Sequence, residues 1–326
     1  MGTINFISLP EDYAPVDAPL EYTATLGEHY EGIEVEVFDA RTSQRKALCR
    51  LHDTSSVCID IAPYVRRMFD PQPAAGWYSA IIPAEGRTVE VQVAVGGVLS
   101  PVRRFTLFPF DGLPRLLTTM PAERTLAPGE YDELPFYAPE GGCFEIISED
   151  EEGRQTVCGT IYSSPSEDIR IFRLAEDVMV VPGCWCRVRF EAGDRCEEVV
   201  YRRVMRPAGA RRLAWLAATG AVEYYTFPQR RRSILAVEKQ HYCNGGGYTT
   251  VDICAERSEL LLSEFEPAAM ADALEEIVSS PRVWIAGAEG VTEVYAVSTE
   301  CVRTFGAEPA RVAVEIRYGR EEAAVC

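Results

Sequence analysis

Residues 211–227 read RRLAWLAATGAVEYYTF, and this stretch organises the C-terminal third of the chain. Leu213–Leu216 is a short apolar run, Val222–Phe227 is rich in aromatic and β-branched residues, and a glycine-containing connection separates them. Two such runs on either side of a glycine turn predict a β-hairpin. Trp215 and Tyr225 are large enough to fill a core between sheets, so we interpret both as core residues rather than as an exposed aromatic platform.

Length and charge narrow the class of protein. The 326 residues exceed what one hydrophobic core comfortably supports, so two or three domains are expected. A formal net charge of −18 disfavours a nucleic-acid partner and indicates a soluble subunit. No apolar run approaches the ~20 residues of a membrane helix, and residues 1–15 lack the basic and apolar segments of a secretory signal. We therefore expect a protein made in the cytoplasm without a signal peptide and without a membrane partner.

The cysteines predict reduced thiols rather than a disulfide framework or a metal site. Residues 184–186 read CWC, but alternation along a strand places both sulfurs on one face without creating a zinc site. No second cysteine pair has zinc spacing, and the histidines (His29, His52 and His241) are scattered. We expect no metal and no cofactor. Five of the 11 cysteines fall in apolar, strand-like runs and are predicted to be buried thiols: Cys58, Cys143, Cys184, Cys186 and Cys254.

Alternation and turn residues divide the first two thirds of the chain into two β-rich modules. Residues 1–110 and residues 111–206 each contain six short strand candidates, and a Pro- and Gly-rich segment separates the modules. This pattern predicts two immunoglobulin- or fibronectin-like β-sandwich domains, with a short helix capped by Asp60 in the first. The candidates in the first module are residues 20–26, 33–38, 56–61, 77–82, 89–95 and 103–108. Those in the second module are residues 134–137, 143–148, 156–162, 168–174, 184–191 and 197–204.

Residues 207–326 predict an α+β domain with one well-defined helix. Ser263 and Glu266 have the spacing of a capping box, and the helix is expected to stop before Pro281. Strand candidates on both sides of the helix supply a sheet for its apolar face. The residues expected on that face are Met270, Leu274, Ile277 and Val278.

Arginines are concentrated between residues 201 and 232, where Glu223 is the one acidic residue. We hypothesise that these arginines form a basic band that docks on an acidic face of a neighbouring subunit. The alternatives are solvated turns and a linker, or a nucleic-acid surface, although no aromatic-and-glycine binding motif accompanies the arginines. The members of the band are Arg202, Arg203, Arg206, Arg211, Arg212, Arg230, Arg231 and Arg232.

Candidate chemistry is sparse. The loop Asn244–Gly247 reads NGGG, but no Lys-Ser/Thr follows it and it leads into a strand-like run, so we interpret it as a flexible loop and not a phosphate cradle. His241 and Cys243 are two residues apart and share one side of an extended segment. A Cys–His nucleophile also needs an orienting acid and an oxyanion hole, which the sequence does not indicate.

Residues 215–227 resemble a motif of uncharacterised prophage structural proteins, written near W-L-N-x-x-G-x-x-D-x-Y-T-F. The matching core positions are Trp215, Gly220, Tyr225 and Phe227, whereas Ala217 and Glu223 replace the Asn and Asp of the motif. The downstream order of glycine-rich loop, strand, helix and Val283–Ile285 is also similar, as is Ile59–Val65. The resemblance covers most of residues 211–326 and part of residues 1–70. It implies a virion component, associated with a tail or baseplate, that has neither catalysis nor a cofactor.

These observations together predict a non-catalytic structural subunit of a phage tail-like particle. We expect it to be made in the bacterial cytoplasm, to assemble with other virion or tail subunits, and to form a homo-oligomer or stack. One alternative is a tandem β-sandwich adhesin or carbohydrate-binding surface protein, which would require export. Another is a Cys–His hydrolase that uses Cys243.

Overall fold

The computed structural model describes residues 3–76, 78–109, 111–175, 185–287, 290–298, 310–319 and 321–322. Within these residues the protein is mainly β, with four sheets and two short α-helices. No helix in the described part of the chain is long and apolar enough to cross a membrane.

Seven strands of the N-terminal region form one sheet. Its order is β1-β3-β6-β8-β2, with β4 paired to β3 and β7 paired to β6. A short helix, α1 (Ala62–Val65), continues into a 3-10 turn at Arg66–Met68. The strands of this region are β1 (Ile4–Ser8), β2 (Ala14–Pro15), β3 (Glu21–Asp39), β4 (Gln44–Asp60), β5 (Ala80–Pro83), β6 (Thr88–Val95), β7 (Val98–Leu99) and β8 (Arg103–Thr106).

The alternation seen in the sequence sets the core of this first sheet. Val35 and Val37 on β3 and Val91 on β6 are fully buried, while their polar neighbours face outward. The predicted strands at 20–26 and 33–38 are one strand, because an irregularity between Thr25 and Tyr30 bends the β3–β4 ladder without ending it.

Asp60 fixes the start of α1. Its Oδ1 atom accepts hydrogen bonds from the backbone N–H of Ala62 at 2.9 Å and of Leu20 at 2.8 Å. The carboxylate therefore satisfies a helix N–H as the sequence predicts, although Ile61 occupies the position that precedes the helix.

One strand of the first module pairs outside it. The predicted strand at 77–82 appears as β5, which pairs antiparallel with residues 170–173 of the middle region, and Trp77 lies outside the described residues. Ile81 packs against the core of the middle region, which explains why the strand joins that sheet. The domain boundary at residue 110 stays a prediction, but sheet pairing crosses it.

Two sheets of the middle region pack face to face. One has the order β5-β14-β11-β9 and the other β10-β16-β15-β12-β13. All six strands predicted in this region are present, although Cys184, expected to begin one of them, lies outside the described residues. The strands are β9 (Arg115–Leu116), β10 (Glu123–Leu126), β11 (Asp132–Ala138), β12 (Gly142–Glu149), β13 (Gln155–Ser163), β14 (Ser166–Leu174), β15 (Trp185–Ala192) and β16 (Arg195–Arg203).

Four phenylalanines form the contact between these two sheets. Phe144 stacks on Phe172 with ring centroids 4.2 Å apart, and it meets Phe136 edge-on at 4.9 Å. Phe136 and Phe172 come from one sheet, whereas Phe144 and Phe190 come from the other. The aromatic cluster is therefore the centre of a two-layer β-sandwich.

The C-terminal region is a single large sheet with a helix on one face. Its order is β18-β17-β21-β22-β23-β20-β19, and β24 pairs with β20. Met270, Leu274 and Ile277 of α2 pack on the buried face of this sheet. The elements are β17 (Arg211–Leu216), β18 (Val222–Phe227), β19 (Gln229–Asn244), β20 (Gly247–Leu262), α2 (Ala268–Ser279), β21 (Val283–Gly287), β22 (Gly290–Ala296), β23 (Ala313–Tyr318) and β24 (Glu321–Glu322).

The predicted capping box at Ser263 and Glu266 is wrong. The helix α2 begins at Ala268, after Pro267, and it has no side-chain cap. Ser263 is buried, and its hydroxyl donates to the backbone oxygen of Glu264 at 2.7 Å and accepts from the N–H of Val312 at 2.8 Å. Both partners lie outside the helix, so the hydroxyl joins two extended segments instead of capping a turn.

The cysteines only partly follow the prediction of buried thiols. Cys186 is buried, and burial raises its pKa to about 12, so this thiol stays protonated near neutral pH. Cys143 and Cys254 are half-buried, whereas Cys58 is exposed, which corrects the prediction for that residue. Alternation along β4 points Cys58 to solvent while the adjacent Val57 is buried.

Candidate functional site

The residues of the family-like motif lie in the core of the C-terminal sheet. Trp215, Tyr225 and Phe227 are buried together, and the rings of Tyr225 and Phe227 meet edge-on with centroids 4.9 Å apart. The Tyr225 hydroxyl donates to Glu266 Oε1 at 2.6 Å and accepts from the Glu264 N–H at 3.1 Å. The hairpin therefore anchors the segment that leads into α2.

Gly220 turns the hairpin where the N-terminal region touches it. Its φ is +75°, a conformation that disfavours any residue with a Cβ. A Cβ at this position would lie 2.9 Å from the Phe108 ring and 3.4 Å from the Leu107 Cβ. Glycine thus serves both the turn and the close approach of the 107–108 segment.

The structure removes Arg212 from the predicted basic band. Its side chain is buried, 3.2 Å from Glu130 Oε2 and 3.8 Å from Asp132 Oδ1, and it donates to the Tyr131 carbonyl oxygen at 2.7 Å. A side chain enclosed in this way is unavailable to a partner. The sequence did not reveal that Arg212 is buried. Arg212 and Leu213 face opposite sides of β17, but both sides of that strand are covered, so the alternation of side chains does not leave Arg212 in solvent.

Four other members of the band pair with acidic residues of the same chain. Arg211 Nε lies 3.0 Å from Glu259 Oε2, and Arg230 Nη1 lies 3.0 Å from Glu259 Oε1. Arg206 approaches Glu130 at 3.8 Å, and Arg232 approaches Glu315 at 3.4 Å. The remaining members are exposed and form no ion pair with any residue that the structure describes: Arg202, Arg203 and Arg231. Their interaction role stays a prediction.

A buried network of charges joins the three regions of the chain, and sequence reasoning missed it. The feature of the sequence that points to this network is Glu223, a carboxylate in the middle of the apolar run 221–227. The partners come from distant positions, so no local spacing reveals them. Three arginines and four carboxylates, none more than 5% exposed, belong to the network: Arg87, Arg124, Arg212, Glu130, Asp132, Glu133 and Glu223.

Arg124 is the centre of this network. Its Nη1 lies 3.0 Å from Asp132 Oδ2 and 3.6 Å from Glu223 Oε2, and its Nη2 donates to the Thr118 hydroxyl at 2.7 Å. Glu223 also accepts from the Thr118 hydroxyl at 2.5 Å and from the Thr119 N–H at 3.0 Å. Because Glu223 lies on β18 and Arg124 on β10, these contacts join the middle region to the C-terminal sheet.

Glu133 extends the network to the N-terminal region. It pairs with Arg87 and accepts a hydrogen bond from the Tyr224 hydroxyl. The backbone N–H of Ala74 donates to its Oε1 at 2.6 Å. One carboxylate of the middle module thus contacts both of the other predicted modules.

Burial and neighbouring charges together set the protonation states of Glu223 and Arg124. Burial raises the pKa of Glu223, while the positive charge of Arg124 opposes that rise. Burial acts to lower the pKa of Arg124, but the nearby Tyr201, Asp132 and Glu223 outweigh it, so the pKa is raised and the guanidinium stays charged. Asp132 Oδ1 and Glu223 Oε2 accept no hydrogen bond from a described residue, so both depend on the charge of a neighbouring arginine.

A second feature is the long hairpin formed by β19 and β20. Only residues 258–262 of β20 pair with β23, and beyond them β20 pairs with β24 at Cys254 and Ala255. We define the arm as residues 233–257. Every β19 side chain described in it is exposed. About 12 residues of extended chain give the arm a length of roughly 40 Å.

The predicted glycine loop and the Cys–His pair both lie on this arm. Asn244 pairs with Gly247, so Gly245 and Gly246 form the two-residue turn at the tip. Cys243 is exposed, and His241 Nδ1 lies 3.3 Å from the Thr250 hydroxyl. Within the described residues, no group of three or more His, Cys, Asp or Glu side chains is arranged to hold a metal ion.

A cleft of about 500 Å³ lies between the edge strand β10 and the segment before α2. Its lining includes Trp185, Arg202 and Phe265, and Trp185 is paired with Arg202 across β15 and β16. Phe265 is 62% exposed, and the Arg311 guanidinium lies 5.0 Å from its ring centroid. The cleft therefore presents aromatic surface beside a positive charge.

Comparison with protein-family models finds no family that matches the chain, and comparison with curated protein sequences finds no match. Among solved structures, a tri-modular GH5 (subfamily 4) endo-β-1,4-glucanase from Bacillus licheniformis is similar over 62% of this chain and 38% of that chain, at 11% identity and a TM-score of 0.20. Domains 4 and 5 of the S-layer protein SbsC are similar over 62% of this chain and 98% of that chain, at 10% identity and a TM-score of 0.20.

Proposed function

We propose that this chain is a non-catalytic structural subunit that assembles into a phage tail-like particle. The observation that carries the proposal is the arm, formed by β19 and β20, which extends beyond the part of β20 that pairs with β23 and pairs with β24 at Cys254 and Ala255. Leu235 is 57% exposed and Tyr242 is 61% exposed on its strand β19. Exposed apolar side chains on a strand whose outer edge pairs with no described strand invite contact with another chain, which favours an assembly role.

The buried charge network supports the same role. It links the three regions through Arg124 and Glu133, as expected of a subunit that joins an assembly as one body. The resemblance of residues 215–227 to prophage structural proteins points to the particle. We infer that the partners are other tail or virion subunits and further copies of this chain, with no nucleic acid and no membrane.

The proposal includes the finer fold class and the cellular location. We infer that the first two domains are immunoglobulin- or fibronectin-like sandwiches, for which the two packed sheets of the middle region give support. We infer that a protein of this kind is made in the bacterial cytoplasm and joins the particle there.

Removing the arm is expected to abolish self-assembly and to leave the fold intact. Ile234 and Ser258 are directly paired, so residues 235–257 can be replaced by Asn-Gly, which closes a two-residue hairpin. The sedimentation coefficient should fall to that of a monomer. The midpoint of thermal unfolding should fall only modestly, because the described β19 side chains that are lost are exposed and the β20 side chains of residues 253–256 are only half-buried.

The matched control shortens a different hairpin. Glu149 and Gln155 are paired, so residues 150–154 can be replaced by Asn-Gly in the same way. This variant should assemble like the unaltered chain. Assembly that survives removal of the arm would contradict the observation on which the proposed function depends.

A second candidate function is a carbohydrate-binding surface protein, and the aromatic cleft at Trp185 and Phe265 is the observation that favours it. Flat aromatic rings beside polar groups suit stacking on sugar rings. Binding of the purified monomer to a glycan array, lost on Trp185→Ala, would favour this candidate over assembly.

A further inference from the structure

The two faces of the arm differ in chemistry. Cross-strand pairing places Leu235 opposite Arg257, Val237 opposite Ala255, and Lys239 opposite Ile253. Directly paired residues share one face of a ribbon, so this set forms one surface, which we name the apolar–basic face. Neither Lys239 nor Arg257 forms an ion pair with a residue in the described ranges.

The opposite surface is acidic. Ala236 is paired with Glu256, and Glu238 is paired with Cys254. We name this the acidic face. Arg317 Nη1 lies 3.4 Å from Glu256 Oε2 near its base, and both side chains remain partly exposed at 40% and 32%. The acidic face thus carries two carboxylates, and the apolar–basic face carries two cations.

We propose that the arms of successive copies stack head to tail, with the apolar–basic face of one copy against the acidic face of the next. This inference rests on the proposed assembly function and names its surface. A chain with a net charge of −18 repels its own copies, so attraction between copies has to be local. The arm supplies this local attraction, because Lys239 and Arg257 can pair with Glu238 and Glu256 of the neighbouring copy.

The charges on the two faces of the arm also determine the symmetry of the contact between copies. Two apolar–basic faces packed against each other would bring Lys239 and Arg257 of both copies together, and two acidic faces would bring the carboxylates together. Either isologous pairing is repulsive, whereas the heterologous pairing is attractive. A heterologous contact repeats along one direction and produces a ring or an open stack, which is the geometry of a tail-like particle.

The size of the contact predicts reversible assembly. A ribbon about 40 Å long and about 10 Å wide covers on the order of 400 Å² per face. The area buried from both copies is then on the order of 800 Å², below the range of stable complexes. Mass in solution should therefore rise with protein concentration, and salt should weaken the ionic part of the contact.

Charge-reversed arms test the proposal. In Lys239→Glu/Arg257→Glu both faces are acidic, and in Glu238→Lys/Glu256→Lys both faces are basic. Each variant alone should sediment as a 36.2 kDa monomer at low salt. An equimolar mixture should regain the large species, because each variant then supplies the face that the other has lost. Thermal unfolding followed by circular dichroism establishes that both variants are folded.

The matched control is Arg67→Glu/Arg195→Glu, which changes the charge of the chain by the same amount at two exposed arginines outside the arm and outside the predicted basic band. It should assemble normally. Loss of assembly in this control, with normal assembly of both arm variants, would overturn the stacking proposal and leave the assembly function standing. An unaltered chain that stops at dimers at every concentration would overturn head-to-tail stacking in favour of an isologous contact. An unaltered chain that stays monomeric at every concentration would contradict the proposed function itself.

Discussion

Replacing Arg124 by Met is expected to lower the free energy of unfolding by about 3–5 kcal/mol. The substitution keeps the apolar stem but removes the cation that lies 3.0 Å from Asp132 and 3.6 Å from Glu223. Both carboxylates are at most 2% exposed, so water does not replace the lost partner. Urea denaturation at neutral pH measures the loss. The control is Arg203→Met on the neighbouring strand, an exposed arginine whose replacement should change stability by less than about 0.5 kcal/mol.

The loss of unfolding free energy caused by Arg124→Met should become smaller as the pH falls. Burial already raises the pKa of Glu223, and removal of Arg124 takes away the charge that opposes the rise. A carboxyl whose pKa is raised in the folded state adds stability below its unfolded pKa, near ~4.3, and loses that stability as the pH rises through the folded pKa. Unfolding at pH 7.5 and pH 5 should therefore give a smaller difference between variant and unaltered chain at pH 5. A deficit that is equal at both values would contradict the assignment of the loss to a buried charge.

Trp215→Ala is the second substitution with a large expected effect, a loss of about 3–5 kcal/mol. The side chain is fully buried in a core cluster that includes Leu213, Tyr225 and Leu274. Its indole Nε1 has no hydrogen-bond partner among the described residues, so the loss comes from packing and from the cavity left behind. Chemical denaturation of the purified variant measures the change in midpoint.

Tyr295→Ala is the matched control, because Tyr295 lies on β22 of the same sheet but is 68% exposed. It should shift the unfolding midpoint only slightly. Since buried charges join the three regions, Trp215→Ala should lower the midpoint of a single unfolding transition that all three regions share. A separate early transition for the C-terminal region would show that the network does not couple the regions.

Much of the β architecture could be predicted from local patterns. Alternation at Val35 and Val37 gives the first sheet its buried face, and each predicted strand of the middle region appears within a few residues of its expected bounds. The hairpin around Gly220 follows from two apolar runs and one glycine, which are neighbours in sequence. Such elements are encoded by residues close together in the chain, so a single sequence contains the signal.

Contacts between distant residues could not be predicted in this way. Strand β5 pairs with β14, some 90 residues away, because Ile81 fits a core that no local pattern reveals. Arg124 and Glu223 meet for a similar reason, and the sequence marks only Glu223 as unusual. The predicted band of arginines likewise included a buried residue, Arg212, among exposed ones. The number of charges along a segment does not indicate which face of a strand is covered.

The mass of the purified chain in solution, measured by light scattering at low and at high salt, tests the central claim most directly. Assembly through charge-complementary arms predicts a mass that is a multiple of 36.2 kDa at low salt and falls towards the monomer as salt is added. A strict monomer at both salt concentrations, over the full range of accessible protein concentrations, would contradict the claim.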